Sequence, residues 1–116
     1  MPYNEFLADR IRIVLKDRSA SFREMKMMGG LCFMVDEKMC LGVVKDEMMA
    51  RVGPDAWEEA LKRDGVREMN FTGRSMKGYV FVQPEGYDFD ADLEHFVDLC
   101  LAFNPLARAS KKRRKA

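Results

Sequence analysis

The sequence has one histidine and only three cysteines, none of them in a C-x-x-C pair. That set is too sparse for a zinc site, and an odd, scattered count of thiols points to reduced cysteines in the cytoplasm rather than a disulfide framework. No apolar run approaches the ~20 residues that span a bilayer. The start, Met1-Pro2-Tyr3-Asn4-Glu5, has neither a basic stretch nor an apolar signal core, so export is not expected. No G-K-[ST] follows Gly29-Gly30, which excludes a phosphate loop and leaves a bulge or tight bend as the reason for the pair. The lone His95 has no Ser, Cys or metal-ligand partner at a recognisable spacing. Asp88, Asp90, Asp92 and Glu94 lack the loop spacing and closing glutamate of a calcium hand and suit an acidic first turn of a helix instead. The expectation is therefore a protein that is not an enzyme, with no catalytic residues, no metal and no cofactor.

What is present is an ordinary globular mixture, 47% hydrophobic and 34% charged over 116 residues, enough for one domain with a real core. The net charge of +1 conceals an asymmetry. Residues 1–107 hold fourteen basic and nineteen acidic side chains, a body of −5. The six remaining basic residues all follow position 107. The expected division is a domain over residues 1–107 and a disordered basic tail over 108–116, which has no apolar periodicity.

Periodicity assigns the elements. Asn4 is placed to cap a first helix carrying Leu7, Ile11, Val14 and Leu15 on one stripe. Strands follow around Met25 and Met27, then Leu31–Val35 and Met39–Val44 joined by the turn Asp36-Glu37-Lys38, then Met48–Val52. Gly53-Pro54 switches the period to a short helix with Trp57, Ala60 and Leu61, stopped at Asp64-Gly65. Two more strands, Val66–Phe71 and Gly78–Gln83, flank a loop over residues 72–77. A last helix, capped by Asp90, carries Leu93, Phe96, Val97, Cys100 and Leu101 and ends at Asn104-Pro105. The fold class is α+β: an antiparallel meander sheet of five to six strands with three packed helices. Both alternation phases of the strands are apolar, which predicts an exposed apolar sheet face and association through it, in a homodimer or with a regulator; a strongly coiled sheet that folds over and buries its own second face is the competing expectation. The methionines, nine of ten lying between Met25 and Met76 once Met1 is set aside, read as core filling.

Two polar features are candidate sites. The loops around Arg51, Gly53, Asp55 and Ala56, and around Arg74 and Lys77, join a helix N-terminus to nearby cations and form a candidate anion-binding site. Structural punctuation is the competing explanation. Lys111, Lys112, Arg113, Arg114 and Lys115 form a polycation suited to non-specific nucleic-acid contact, with no interleaved aromatic for base stacking.

Several ordered blocks carry a family resemblance. These are Met27-Met28-Gly29-Gly30-Leu31-Cys32-Phe33-Met34-Val35, then Lys38-Met39-Cys40-Leu41-Gly42-Val43-Val44, then Arg51-Val52-Gly53-Pro54. Met69-Asn70-Phe71-Thr72-Gly73-Arg74 and Met76-Lys77-Gly78-Tyr79-Val80-Phe81-Val82 complete the set. From about Asn4 to Phe103 the chain resembles the N-terminal domain of the TfoX (Sxy) competence regulators, with Met28 where family members usually carry Phe. The resemblance implies an α+β accessory or regulatory domain acting through protein contacts in transcription. It supplies no catalytic residues to carry over. Full-length regulators of this kind add a second helical domain and act as coactivators with the cyclic-AMP receptor protein, whereas this chain continues into its basic tail. The alternative expectation is a small-ligand or anion-binding module.

Overall fold

The computed structural model describes residues 3–27, 29–71 and 74–107, with the side chains at 27 and 70–76 left aside. Helix α1, Glu5–Asp17, begins where Asn4 Oδ1 accepts a hydrogen bond from the Leu7 amide at 3.0 Å, satisfying one of the open N–H groups of the first turn. Leu7, Ala8, Ile11, Val14 and Leu15 form its buried stripe. Ser19, at φ 58°, turns the chain out of the helix.

Six strands follow: β1 Arg23–Met27, β2 Gly30–Val35, β3 Lys38–Val44, β4 Glu47–Arg51, β5 Val66–Phe71 and β6 Arg74–Val82. They form one antiparallel sheet in the order β1-β2-β3-β4-β6-β5. The first four are a meander. Helix α2, Pro54–Leu61, then carries the chain past the sheet, so that β5 takes the outer edge and β6 fills the place beside β4. The segment expected as a loop over 72–77 is strand from Arg74 onward.

Among the described residues four helices stand where three were expected. The additional one, α3, is the single turn Pro84–Tyr87, and α4, Asp90–Phe103, runs into a 3-10 turn at Asn104–Leu106. Asp90 is not the cap of α4. Phe89 occupies the cap position without a side-chain bond, and Asp90 instead meets Arg10 of α1 at 3.0 Å. Arg18, which caps the C-terminal end of α1, reaches Asp98 and Glu94, so Arg10 within the helix and Arg18 at its end both tie α1 to α4.

The hairpin β2–β3 departs from the expected register in an instructive way. Its turn is the two-residue pair Asp36-Glu37, both at positive φ, a geometry that matches the twist of a tight hairpin. Lys38 therefore already belongs to β3, opposite Val35. Phe33 pairs with Leu41 and Met34 with Met39, leaving Cys40 without a partner at a β-bulge. Both Cys40 and Leu41 consequently join the main core.

That core lies between the helices and one sheet face, with Phe33, Leu41, Met48, Val80, Val82, Leu93 and Phe96 fully buried. A second cluster, Cys32, Met34, Met49, Met69 and Phe81, belongs to the other alternation phase. Of the two expectations for this face, exposure and burial by the sheet's own coiling, these residues follow the second: they are 1% to 9% accessible in the single chain. A twisted sheet six strands wide does not present a flat second face. Arg67 contributes to the cover: its guanidinium lies 4.7 Å from the Phe81 ring centre while pairing with Glu47.

Candidate functional site

The Arg51-Val52-Gly53-Pro54 segment is built by a close approach to the backbone at Gly78. The Val52 and Gly53 amides both donate to the Gly78 carbonyl, at 2.9 and 3.0 Å. Gly53 has φ 90°, and a Cβ there would collide with the ring of Phe103. Gly78, at φ 95°, packs against Gly53 and Pro54. Only glycine combines that backbone conformation with that clearance. Trp57 of α2 donates through Nε1 to the Tyr79 carbonyl at 3.0 Å, fixing the helix against β6.

Arg51 closes β4 directly opposite Tyr79. Its Cζ lies 5.3 Å from the Tyr79 ring centre and 5.8 Å from that of Phe103. Nη1 donates to the Met39 carbonyl at 3.4 Å. One residue before Met39, Lys38 Nζ donates to the Asn104 carbonyl at 3.0 Å. Asn104 is itself buried, and its Nδ2 donates to the Val35 carbonyl at 3.0 Å.

Of the candidate anion-site residues, the structure therefore brings Arg51 and Gly53 to one place through Phe103, with Gly78 holding the segment. Asp55 is exposed and Ala56 half-buried in the first turn of α2, where Pro54 contributes no N–H. Lys77 is exposed beside Gly78. The Arg74 side chain lies outside the described residues, as do Lys111, Lys112, Arg113, Arg114 and Lys115. Sequence reasoning missed Phe103, Tyr79 and Lys38. Phe103 stands at the end of an apolar helix stripe, where nothing local distinguishes a core side chain from one that covers a glycine fifty residues earlier.

A second surface lies on α1. Phe6 and Ile13, seven residues apart and so on one helix face, are 74% and 59% exposed. Arg10 lies between them and reaches the Asp88 carbonyl and the Asp90 carboxylate, on either side of Phe89, which is 76% exposed.

The remaining candidates are weaker. A groove of about 610 Å³ between α2 and α4 is lined by Ala56, Ala60, Arg63, His95 and Leu99 among others. Partial burial and the nearby Arg63 hold the His95 imidazole below its ordinary range. Cys40 and Cys100 meet in the core, and burial pushes the Cys100 thiol well above its ordinary value. Among the described residues no three His, Cys, Asp or Glu side chains converge as a metal site would require, and no helix is long and apolar enough to cross a membrane.

A family model described as the TfoX N-terminal domain matches residues 15–104, from the end of α1 to the turn after α4. No curated protein and no solved structure matches the chain. Arg51, Gly53 and Phe103 fall inside the matched segment, whereas Phe6 and Ile13 precede it.

Proposed function

The chain belongs to the TfoX N-terminal domain family, and from that premise we propose that it is a non-catalytic accessory domain, acting through protein contacts in the regulation of transcription. Membership alone names no partner. The observation that carries the proposal is the exposed apolar face of Phe6 and Ile13 with Phe89 alongside. Single exposed apolar residues are normal on a protein surface. Three large ones arranged around one anchored arginine form a patch of the sort that marks an interface. The partner is a regulator or a second copy of the chain, and the cytoplasm is the expected compartment, in keeping with three buried cysteines that form no disulfide.

The test is affinity purification from the native host at physiological salt, with and without nuclease, using the wild-type chain and the pair Phe6→Ser with Ile13→Ser. A protein recovered by the wild type in both nuclease arms, and lost with the double variant, is the expected result. Identical recovery by both baits would remove the α1 face from the function.

A further inference from the structure

Arg51 differs electrostatically from the other arginines whose side chains are described. Arg10, Arg12, Arg18, Arg23, Arg63 and Arg67 each pair with a carboxylate. Arg51 pairs with none, although all nineteen Asp and Glu residues are among those described. Lys38 is in the same position, bonded to a backbone carbonyl and to no carboxylate among the described residues.

Both cations sit at one place in the fold. Arg51 faces the Phe103 ring and Lys38 holds the Asn104 carbonyl, so the two meet the C-terminal end of α4. A helix C-terminus carries roughly half a negative elementary charge. That partial charge gives a structural reason for one cation and leaves more than one positive charge uncompensated. Asp36 in the adjacent turn is exposed, and Glu37 is already paired with Arg23. The guanidinium lies 5.3 Å from the Tyr79 ring centre and 5.8 Å from that of Phe103, and it spends one of its five donors on a long bond to the Met39 carbonyl. A planar fork lying against two aromatic rings, with donors to spare and no carboxylate paired to it, is arranged to bind an oxyanion in bidentate fashion.

We propose that Arg51, supported by Lys38, is a binding site for an oxyanion, a phosphate or carboxylate group, at the C-terminal end of α4. The site is separate from the α1 face and stands or falls independently of the partner-docking role. It also differs from the site suggested by the sequence, because its second cation is Lys38 of β3 and not Arg74 or Lys77 of β6.

The experiment is an NMR titration of the full-length, ¹⁵N-labelled protein with inorganic phosphate, with acetate, and with chloride as the ionic-strength control. The Arg51 Nε–Hε resonance and the amides of Gly53, Tyr79 and Phe103 are followed. A saturable shift at these positions with phosphate or acetate, absent with chloride, is expected, and the tighter of the two anions names the class. Arg51→Gln should abolish the shift, and Lys38→Gln should weaken binding roughly tenfold, the loss of one charge-assisted contact. A response in the wild type no different from chloride overturns the proposal without recourse to any variant. So does an equal saturable response in a folded Arg51→Gln protein.

Discussion

Cys40 and Cys100, far apart in sequence, come together with their side chains buried in the core where β3 meets α4. The bulge at Cys40 makes this contact: without it, strand alternation would send Cys40 to the same face as Cys32. Cys32 belongs instead to the second cluster, on the far side of the sheet from Cys40.

This arrangement predicts that no disulfide forms between Cys32 and Cys40 and that all three thiols react slowly in the folded protein. Burial pushes Cys32 from an ordinary value of 9.0 up to about 11 and holds Cys100 well above its own. Alkylation at pH 8 should label none of the three natively and all three in denaturant without reductant. The same shifts set a pH dependence. Below about 9.0 both folded and unfolded thiols are protonated, and the contribution to stability is complete. As pH rises toward about 11 the unfolded state loses protons that the native state keeps, so stability falls. Urea midpoints that stay level from pH 8 to 11 in the wild type, or that fall equally in Cys32→Ala, would show that Cys32 is not held protonated by the fold.

Gly53 and Phe103 should behave as a coupled pair. Gly53→Ala places a side chain at φ 90° and drives it into the Phe103 ring, at a cost of about 2–4 kcal/mol. Phe103→Ala opens that space at its own cost in lost packing. The double variant should lose less than the sum of the two single losses, because the collision disappears while the backbone strain remains. Additive losses in chemical denaturation would place the strain wholly in the backbone.

Much of this fold was legible because local signals and burial agree. Asn4 before the stripe of Leu7, Ile11, Val14 and Leu15 is both a cap and a core face, and the structure uses it as both. Gly53-Pro54 marks the change from strand to helix through a positive φ and a missing N–H, both properties of the residues themselves. The bulge at Cys40 was not legible, since the alternating apolar run Leu31–Val35 and Met39–Val44 accepts either register and the turn decides between them. The place of β6 between β4 and β5 is a tertiary choice, as Tyr79 and Phe81 read equally well beside either neighbour. At the candidate site, Arg51 was evident as a cation beside Gly53-Pro54 and the start of a helix. That Tyr79, Phe103 and Lys38 would surround it depends on three elements converging from separate parts of the chain.

The tail is expected to carry whatever general affinity for nucleic acid the protein has, because its six basic residues follow a body of net charge −5. Removal of residues 108–116 should leave the thermal midpoint nearly unchanged, since that segment has no apolar face to bury. Affinity for duplex DNA should fall sharply and its dependence on salt should flatten, as fewer counterions are released. Equal binding by the full-length and truncated proteins, measured at two salt concentrations, would move the contact onto the acidic body.

The two apolar surfaces of the molecule should respond oppositely to polar substitution. Met49 and Phe81 are 6% and 7% exposed within one chain, so these two side chains need no second copy to cover them. Met49→Ser should cost about 2–4 kcal/mol of stability, the loss of a buried methionine's transfer and packing energy. Phe6 and Ile13 are mostly in water in the folded chain. Phe6→Ser and Ile13→Ser should therefore change stability by no more than about 0.5 kcal/mol each, as surface substitutions generally do. If the chain pairs with itself, α1 is the expected surface, because among the described residues Phe6 and Ile13, with Phe89 alongside, leave apolar surface in water. Sedimentation equilibrium at micromolar concentration should then show a dimer for the wild type and a 13.4 kDa monomer for the Phe6→Ser, Ile13→Ser pair. A wild-type dimer that persists in the double variant would return the interface to the sheet, and the burial of Met49 and Phe81 in the single chain argues against that outcome.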